Sequence, residues 1–198
     1  MKYINQRDYP HYPYITRTEL EGQELEYGKT TSVSNSGCGL CCAVMLVDRL
    51  LPDVKFELND AIRLSYECGS NHLRGTDYRI FADVFAKKTG LELEKSNDPA
   101  RLEYCLATGG AAIINVKGDR EGRVGVFSHG GHFILAVNKE RDGRIAILDP
   151  YYKEGIYEED GRRGLVEMKN GCIALCDIQV LIDDTKPAPT AFYLFWRK

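Results

Sequence analysis

Three cysteines stand within five residues in the stretch SNSGCGLCCAVMLVDRL: Cys38, Cys41 and Cys42. The turn-forming residues 34–37 before them and the apolar spacing after them predict a helix that begins at Cys38. Free backbone amides and the positive end of the dipole stabilise a thiolate at a helix start, so we expect Cys38 to have the lowest thiol pKa of the three. Cys41 and Cys42 lie one turn deeper among apolar residues, where we expect small core residues. Cys38 is therefore the candidate nucleophile.

Glycines stand on both sides of the candidate nucleophile, at Gly37 and Gly39. Because neither has a side chain, we expect them to leave room for a substrate backbone to approach the thiol. We also expect the Cys38 amide to be free to donate a hydrogen bond to an oxyanion.

A nucleophilic cysteine needs a base, and the chain contains four histidines. His11 lies in a stretch rich in proline and tyrosine, His72 lies near a predicted loop, and His129 lies in a glycine-rich loop. These are ordinary surface contexts. His132 differs because it follows two glycines and opens the apolar run HFILAV, which predicts a strand. We therefore expect His132 to be the base.

The residue best placed to orient His132 is Asp149, at the end of the next predicted strand, RIAILD. If a four-residue loop joins the two strands, Asn138 pairs with Gly143, and His132 lies directly opposite Asp149 on one face of the sheet. A two-residue turn would instead place Lys153 opposite His132. The first register is the one that brings a carboxylate to the imidazole.

Composition narrows the function classes. The chain has 198 residues, 43% of them apolar and 28% charged, with a net charge of -3. These values predict an ordinary soluble globular protein without the basic surface that nucleic acid requires. No apolar run is long enough for a membrane span, and the N-terminal stretch MKYINQRDYPHYPY lacks the apolar core of a secretion signal. Seven irregularly spaced cysteines favour reduced thiols in the cytoplasm over disulfides.

The elements that must position these residues follow a simple order, with helices first and strands after them. Helices are expected at residues 38–50 and 57–67, between a cap at Thr76 and a stop at Gly90, and from a cap at Asp98 and Pro99 to residues 109–110. The segments AAIINV, HFILAVNK, RIAILD and AFYLFW read as strands, and CIALCDIQVL reads as a short helix or strand. This order predicts an α+β fold, with N-terminal helices packed on an antiparallel sheet. We expect a single domain over residues 1–198, with residues 1–35 forming an extended arm.

The chain resembles papain-like cysteine peptidases of the group related to the bacteriocin-processing, double-glycine leader peptidases. The matching segments, in order, are INQRDYPHYPY, YGKTTSVSNSGCGLCCAVML, RGTDYRIFADVFAKKTGLEL, GGHFILAV and the hairpin that ends in ILDPYY. Together they cover most of the chain. The resemblance implies a papain-like fold and a thiol hydrolase that cleaves a peptide bond in a peptide or protein substrate, without a metal or organic cofactor.

The resemblance also implies a role for each site residue. Cys38 corresponds to the nucleophile, His132 to the general base and acid, and Asp149 to the residue that orients the imidazole. Gln6, in NQRDYP, corresponds to the glutamine whose side-chain amide donates to the oxyanion. The implied reaction passes through a thioester, and acyl transfer to an amine would use the same residues.

The sequence departs from the family pattern in two places. After the CG pair the family has a proline or a small residue followed by Thr or Ser, whereas this chain has Leu40 and then two cysteines. Gln6 is separated from Cys38 by a long charged segment that includes TRTELEGQELE. Gln23 and Asn35 are therefore alternative oxyanion donors.

Three other functions remain open. CGLC has the CxxC spacing of a dithiol oxidoreductase, although such motifs normally follow a buried strand. A zinc site could be built from Cys38, Cys41, Cys172 and Cys176, although the second pair has CxxxC spacing. The third alternative is a non-enzymatic peptide-binding module on the peptidase fold.

Overall fold

A seven-stranded antiparallel sheet lies between two groups of helices in the computed structural model, which describes residues 1–15, 32–71 and 75–198. The helices are α1 (Val33–Ser36), α2 (Cys38–Leu50), α3 (Leu58–Glu67), α4 (Tyr78–Thr89), α5 (Pro99–Ala107) and α6 (Ile178–Thr185). The strands are β1 (Glu92–Ser96), β2 (Ala111–Val116), β3 (His132–Lys139), β4 (Ile145–Leu148), β5 (Val166–Lys169), β6 (Ile173–Cys176) and β7 (Phe192–Trp196). Their order in the sheet is β1-β7-β2-β3-β4-β6-β5. The predicted combination of helices and an antiparallel sheet is confirmed.

The central strands are buried on both faces, which explains their continuous apolar sequences. In β2 and β3, Ile113 and Leu135 point into one hydrophobic core, together with the apolar residues of α2, α3 and α4. Ile114 and Ile134 point into a second core, with residues of α5 and α6. Neighbouring residues of one strand therefore serve opposite layers, and α2 packs against the face of the sheet that carries the first core.

Helix α2 has the predicted bounds, because its limits are encoded locally. It begins directly after Gly37 and ends at Leu50, shortly before Pro52. Helix α5 also starts as predicted, since the Asp98 side chain accepts a hydrogen bond from the Ala100 amide at 2.9 Å.

The predicted cap of α4 at Thr76 is wrong by one residue. Asp77 caps the helix, because its Oδ1 accepts from the Arg79 amide at 2.9 Å. The Thr76 hydroxyl is instead 2.7 Å from the Tyr14 hydroxyl, in a buried contact with the N-terminal arm. The predicted stop is confirmed, since Gly90 adopts a left-handed φ of 75°.

The ambiguous segment CIALCDIQVL contains both a strand and a helix. It forms β6 and then the start of α6, and Asp177 separates them because its side chain accepts from the Gln179 amide at 2.7 Å. Strands β1 and β5 were not expected from the sequence. Both lie at edges of the sheet and carry charged residues, so neither has an apolar run to reveal it.

The described part of the N-terminal arm lies against the core. Ile4 and Tyr14 are buried, and a 3₁₀ turn at Gln6–Asp8 interrupts the otherwise irregular chain. The middle of the predicted arm lies outside the described residues. Among the helices of the described ranges, none has the length and apolar character that a membrane span needs.

Candidate active site

Cys38 is the first residue of α2, and the residue as a whole is partly buried. The His132 imidazole and the backbone of Phe133 and Gly39 lie close enough to interact with the Cys38 sulfur. Burial alone would raise the pKa of the Cys38 thiol, but these interactions and the charge on His132 lower it below its ordinary value. The predicted low pKa at the helix start agrees with this environment.

His132 opens β3 and is buried against Cys38 on one side and Asp149 on the other. Its Nε2 lies 2.8 Å from Asp149 Oδ1, which leaves Nδ1 free to interact with the Cys38 thiol. Burial alone would lower the pKa of the imidazole, but the Asp149 carboxylate and the contact with Cys38 raise it above its ordinary value. The geometry therefore favours a thiolate beside an imidazolium.

The predicted register between β3 and β4 is wrong, although it led to the correct pair of residues. Asn138 pairs with Ala146 and not with Gly143, and a β-bulge shifts the register between Ala136 and Asn138. Beyond the bulge Leu135 pairs with Leu148. This register places neither Asp149 nor Lys153 directly opposite His132, and Asp149 reaches the imidazole from just beyond the end of β4.

The turn that joins the two strands explains the error. Glu140 and Arg144 close it, since the Glu140 amide donates to the Arg144 carbonyl at 2.8 Å. Three residues lie between them, and the last, Gly143, has a left-handed φ of 91°. A three-residue loop that ends in a left-handed glycine is a common hairpin connection. Together with the bulge, this loop gives a register that lies between those predicted for a four-residue loop and for a two-residue turn.

The Asp149 carboxylate is almost fully buried and accepts hydrogen bonds on both oxygens. Oδ1 accepts from the Tyr151 amide at 2.8 Å as well as from His132. Oδ2 accepts from the Tyr157 hydroxyl at 2.6 Å. The backbone carbonyl of Asp149 accepts from the Tyr3 hydroxyl at 2.7 Å. The plane of the carboxylate is therefore determined by His132, the Tyr151 amide and the Tyr157 hydroxyl, while Tyr3 contacts only the backbone.

Gln6 is buried, and the turn that carries it is connected to both sides of the site. Its side-chain Nε2 donates to the Ser34 carbonyl at 2.7 Å, and its backbone amide donates to the Pro150 carbonyl at 2.7 Å. Because Nε2 carries two hydrogens, one remains for another acceptor. Of the alternative donors, Asn35 is exposed and Gln23 lies outside the described residues.

Gly37 and Gly39 do not open a path for the substrate, so that expectation is wrong. A Cβ at Gly37 would lie 2.6 Å from Val33 Cγ1, and one at Gly39 would lie 2.5 Å from Tyr78 Cε2. Protein side chains thus fill both spaces, and glycine is needed there for packing. By contrast, a Cβ at Gly131, next to His132 in the chain, would meet nothing within 4 Å among the described residues.

The neighbouring cysteines are core residues, as predicted. Cys41 and Cys42 are fully buried, and all seven cysteines, which lie in the described part of the chain, are free thiols. Burial raises the pKa of the Cys41 and Cys42 thiols, opposite to the direction for Cys38. An accessible pair of low-pKa thiols, which a CxxC oxidoreductase would need, is not formed here.

The other histidines and the hypothetical zinc ligands lie apart from this arrangement. His11 is exposed, and His129 is exposed and hydrogen-bonded to Asp119 at 2.8 Å. His72 lies outside the described residues. Within the described ranges, no three His, Cys, Asp or Glu side chains are grouped as metal ligands, so the zinc set Cys38, Cys41, Cys172 and Cys176 does not come together.

Sequence reasoning missed Tyr157, which contacts Asp149 from eight residues further along the chain. The segment YYKEGIY contains a possible signal, because Gly155 adopts a left-handed φ of 80° that lets the chain turn back. Three tyrosines occur in that segment, however, and no periodicity distinguishes the one that reaches the carboxylate.

Comparison with known proteins supports the fold. No protein-family model matches the chain, and no curated protein matches it. Its structure is similar to a crystal structure from Bacillus anthracis described as a "putative C39-like peptidase", with a TM-score of 0.54, 10% sequence identity and coverage of 100% of both chains. At this level of identity the similarity concerns the fold alone. The chain therefore shares the overall fold of that structure.

Proposed function

We propose that this protein is a cysteine peptidase with a papain-like fold that hydrolyses a peptide bond through Cys38, His132 and Asp149. The observation that carries the proposal is the position of the His132 imidazole, which interacts with the Cys38 thiol and lies 2.8 Å from the Asp149 carboxylate. A nucleophile, a base and an orienting group in hydrogen-bond contact are the arrangement that acyl transfer by a thiol requires. The C39-like peptidase fold supports the same conclusion.

The reaction follows from the positions of the protons. The Cys38 thiolate attacks the carbonyl carbon of the scissile bond, and His132 then donates its proton to the departing amine. The resulting thioester is hydrolysed by water, whose proton His132 accepts. Asp149 holds Nε2 throughout, so that Nδ1 stays directed at the sulfur.

Two donors are proposed for the oxyanion. The first is the Cys38 backbone amide, at the start of α2. The second is the remaining Nε2 hydrogen of Gln6, whose side chain is oriented by its bond to the Ser34 carbonyl. Donors that are fixed before the reaction stabilise the developing negative charge most effectively.

The proposal includes a substrate class and a location. The substrate is a peptide or protein, consistent with the resemblance to leader peptidases, and the mechanism requires no cofactor. We place the protein in the cytoplasm, where reducing conditions keep a catalytic thiol free.

The test is cleavage of a peptide library by the purified chain and by two cysteine variants. Cys38→Ala removes the only sulfur that can form the thioester, so cleavage should fall to background while the unfolding transition is retained. Cys41→Ala is the matched control, because it removes the neighbouring buried thiol and should preserve cleavage. The proposal is abandoned if the Cys38→Ala protein cleaves at the wild-type rate, and loss of cleavage in a folded Cys41→Ala protein would show that the thiol of Cys38 is not sufficient.

A further inference from the structure

The hydrogen bonds to the Asp149 carboxylate divide its two oxygens between different tasks. Oδ1 faces His132 and the Tyr151 amide. In the part of the chain that the structure describes, Oδ2 accepts from the Tyr157 hydroxyl alone. Rotation about the Cβ–Cγ bond of Asp149 would break the contact with His132, and the bond to Tyr157 opposes that rotation from the far side.

Tyr157 is itself held rigidly. It lies in a 3₁₀ turn, Ile156–Glu158, that follows the left-handed Gly155. Its ring packs edge-on against Phe127 with centroids 5.7 Å apart and stacks on Tyr152 at 5.9 Å. The hydroxyl thus reaches Asp149 from a side chain that has little freedom to move.

The direction of this hydrogen bond is fixed as well. Burial, followed by the charge on Asp149, raises the pKa of the Tyr157 hydroxyl well above its ordinary value. The hydroxyl therefore keeps its proton over the working range of a thiol enzyme and donates it to Oδ2. A charge-assisted bond of 2.6 Å is among the stronger hydrogen bonds found in proteins.

We propose that Tyr157 is a positioning residue of the candidate site, which acts through the Asp149 carboxylate to orient His132 toward Cys38. Its hydroxyl bonds to the Asp149 carboxylate, so it is the fourth member of a chain whose first three members are Cys38, His132 and Asp149. The role of Tyr157 in catalysis rests on the proposed function. The contact itself can be tested without a substrate.

The test is a double-mutant cycle, read as the rate at which iodoacetamide alkylates Cys38 at pH 7. Tyr157→Phe keeps the ring and removes the hydroxyl, and it should slow alkylation about tenfold, as expected for a lost hydrogen bond to a charged group. In an Asp149→Ala background the same change should have less than about a twofold effect, because its target is gone. Tyr3→Phe is the matched control, since its hydroxyl binds the Asp149 carbonyl rather than the carboxylate. Its effect should be small and equal in both backgrounds.

Equal effects of Tyr157→Phe in the two backgrounds, or no effect in the wild-type background, would overturn the inference. If the Asp149→Ala protein does not fold, the proton resonance on His132 Nε2 gives a second measurement. It should move in Tyr157→Phe and stay in place in Tyr3→Phe, and an unchanged resonance in both variants would also refute the role. A different result would refute the proposed function itself. In that case Cys38 would react with iodoacetamide no faster than Cys68 or Cys172 in the wild-type protein.

Discussion

At the scale of single residues, the charge state of the site depends on neighbours that act against burial. Desolvation favours a neutral Cys38 thiol and a neutral His132 imidazole. The contact between the two side chains shifts both pKa values the other way, and the Asp149 carboxylate adds to the shift of His132. The thiolate at Cys38 is therefore sustained by specific partners, and removal of one partner should reveal the effect of burial.

The pH dependence of Cys38 alkylation tests this balance. Only the thiolate reacts with iodoacetamide. Because the pKa of the Cys38 thiol is lowered, wild-type Cys38 should react well below pH 9. His132→Ala removes the lowering partner and leaves much of the burial, so the pKa rises and the rate at pH 7 should fall by at least about tenfold. The rate is measured by mass spectrometry of the Cys38 peptide across pH 5 to 10. His129→Ala, at an exposed position, should leave the profile unchanged, and superimposable profiles for His132→Ala and wild type would contradict this account.

At the scale of elements, the N-terminal arm holds the chain that follows β4. The Tyr3 hydroxyl binds the Asp149 carbonyl, and the Asn5 side-chain amide donates to the Tyr152 carbonyl at 2.8 Å. The backbone amide of Gln6 donates to a third carbonyl in the same segment, that of Pro150. The arm therefore carries Gln6 and is tied to the backbone of residues 149–152.

Gln6→Ala separates transition-state stabilisation from this structural role. If Gln6 donates to the oxyanion, kcat/KM for peptide cleavage should fall about a hundredfold. This corresponds to a loss of transition-state stabilisation on the order of 3 kcal/mol. Alkylation of Cys38 forms no oxyanion, so its rate should stay at the wild-type value. Asn5→Ala weakens the arm without removing a proposed donor and should have a small effect on both. An equal loss of cleavage and alkylation in Gln6→Ala would show that Gln6 acts only through the arm.

At this scale, features that are encoded by neighbouring residues could be predicted from the sequence, and contacts between distant residues could not. The bounds of α2 and the position of Cys38 could be predicted, because a turn, an apolar period and a nearby proline encode them locally. The pairing of Asn138 could not, because a β-bulge leaves no mark in the turn residues. The role of Tyr157 could not be predicted for a similar reason, since its contact with Asp149 depends on how the intervening turn folds back.

At the scale of the whole molecule, the site draws on both faces of the sheet. Helix α2 supplies Cys38 from one face, while the segment 117–131, which leads into His132, is held from the other. Asp184 of α6 is fully buried and accepts from the Val126 and Phe127 amides at 2.8 and 3.2 Å. It also pairs with Arg123 at 3.1 Å. The layer behind the sheet therefore holds part of the segment that leads into His132.

Asp184→Ala should be strongly destabilising, because it leaves Arg123 and two buried amides without this acceptor. We expect the free energy of unfolding to fall by roughly 3 kcal/mol, measured by urea denaturation. Asp183→Ala is the matched control, since Asp183 is about one-third exposed and lies 3.3 Å from the same arginine. Its effect should stay within about 1 kcal/mol. Similar losses for the two variants would show that the buried acceptor has no special importance.

The ring of Tyr78 occupies the place that a side chain at residue 39 would fill, and its hydroxyl donates to the Gly39 carbonyl at 2.5 Å. The two residues share one volume beside the nucleophile, so natural selection acts on them as a unit. A larger residue at 39 becomes acceptable only with a smaller one at 78, and a smaller residue at 78 alone leaves a cavity under the helix start. In descendants of this chain that keep the site, these two positions should change together or not at all.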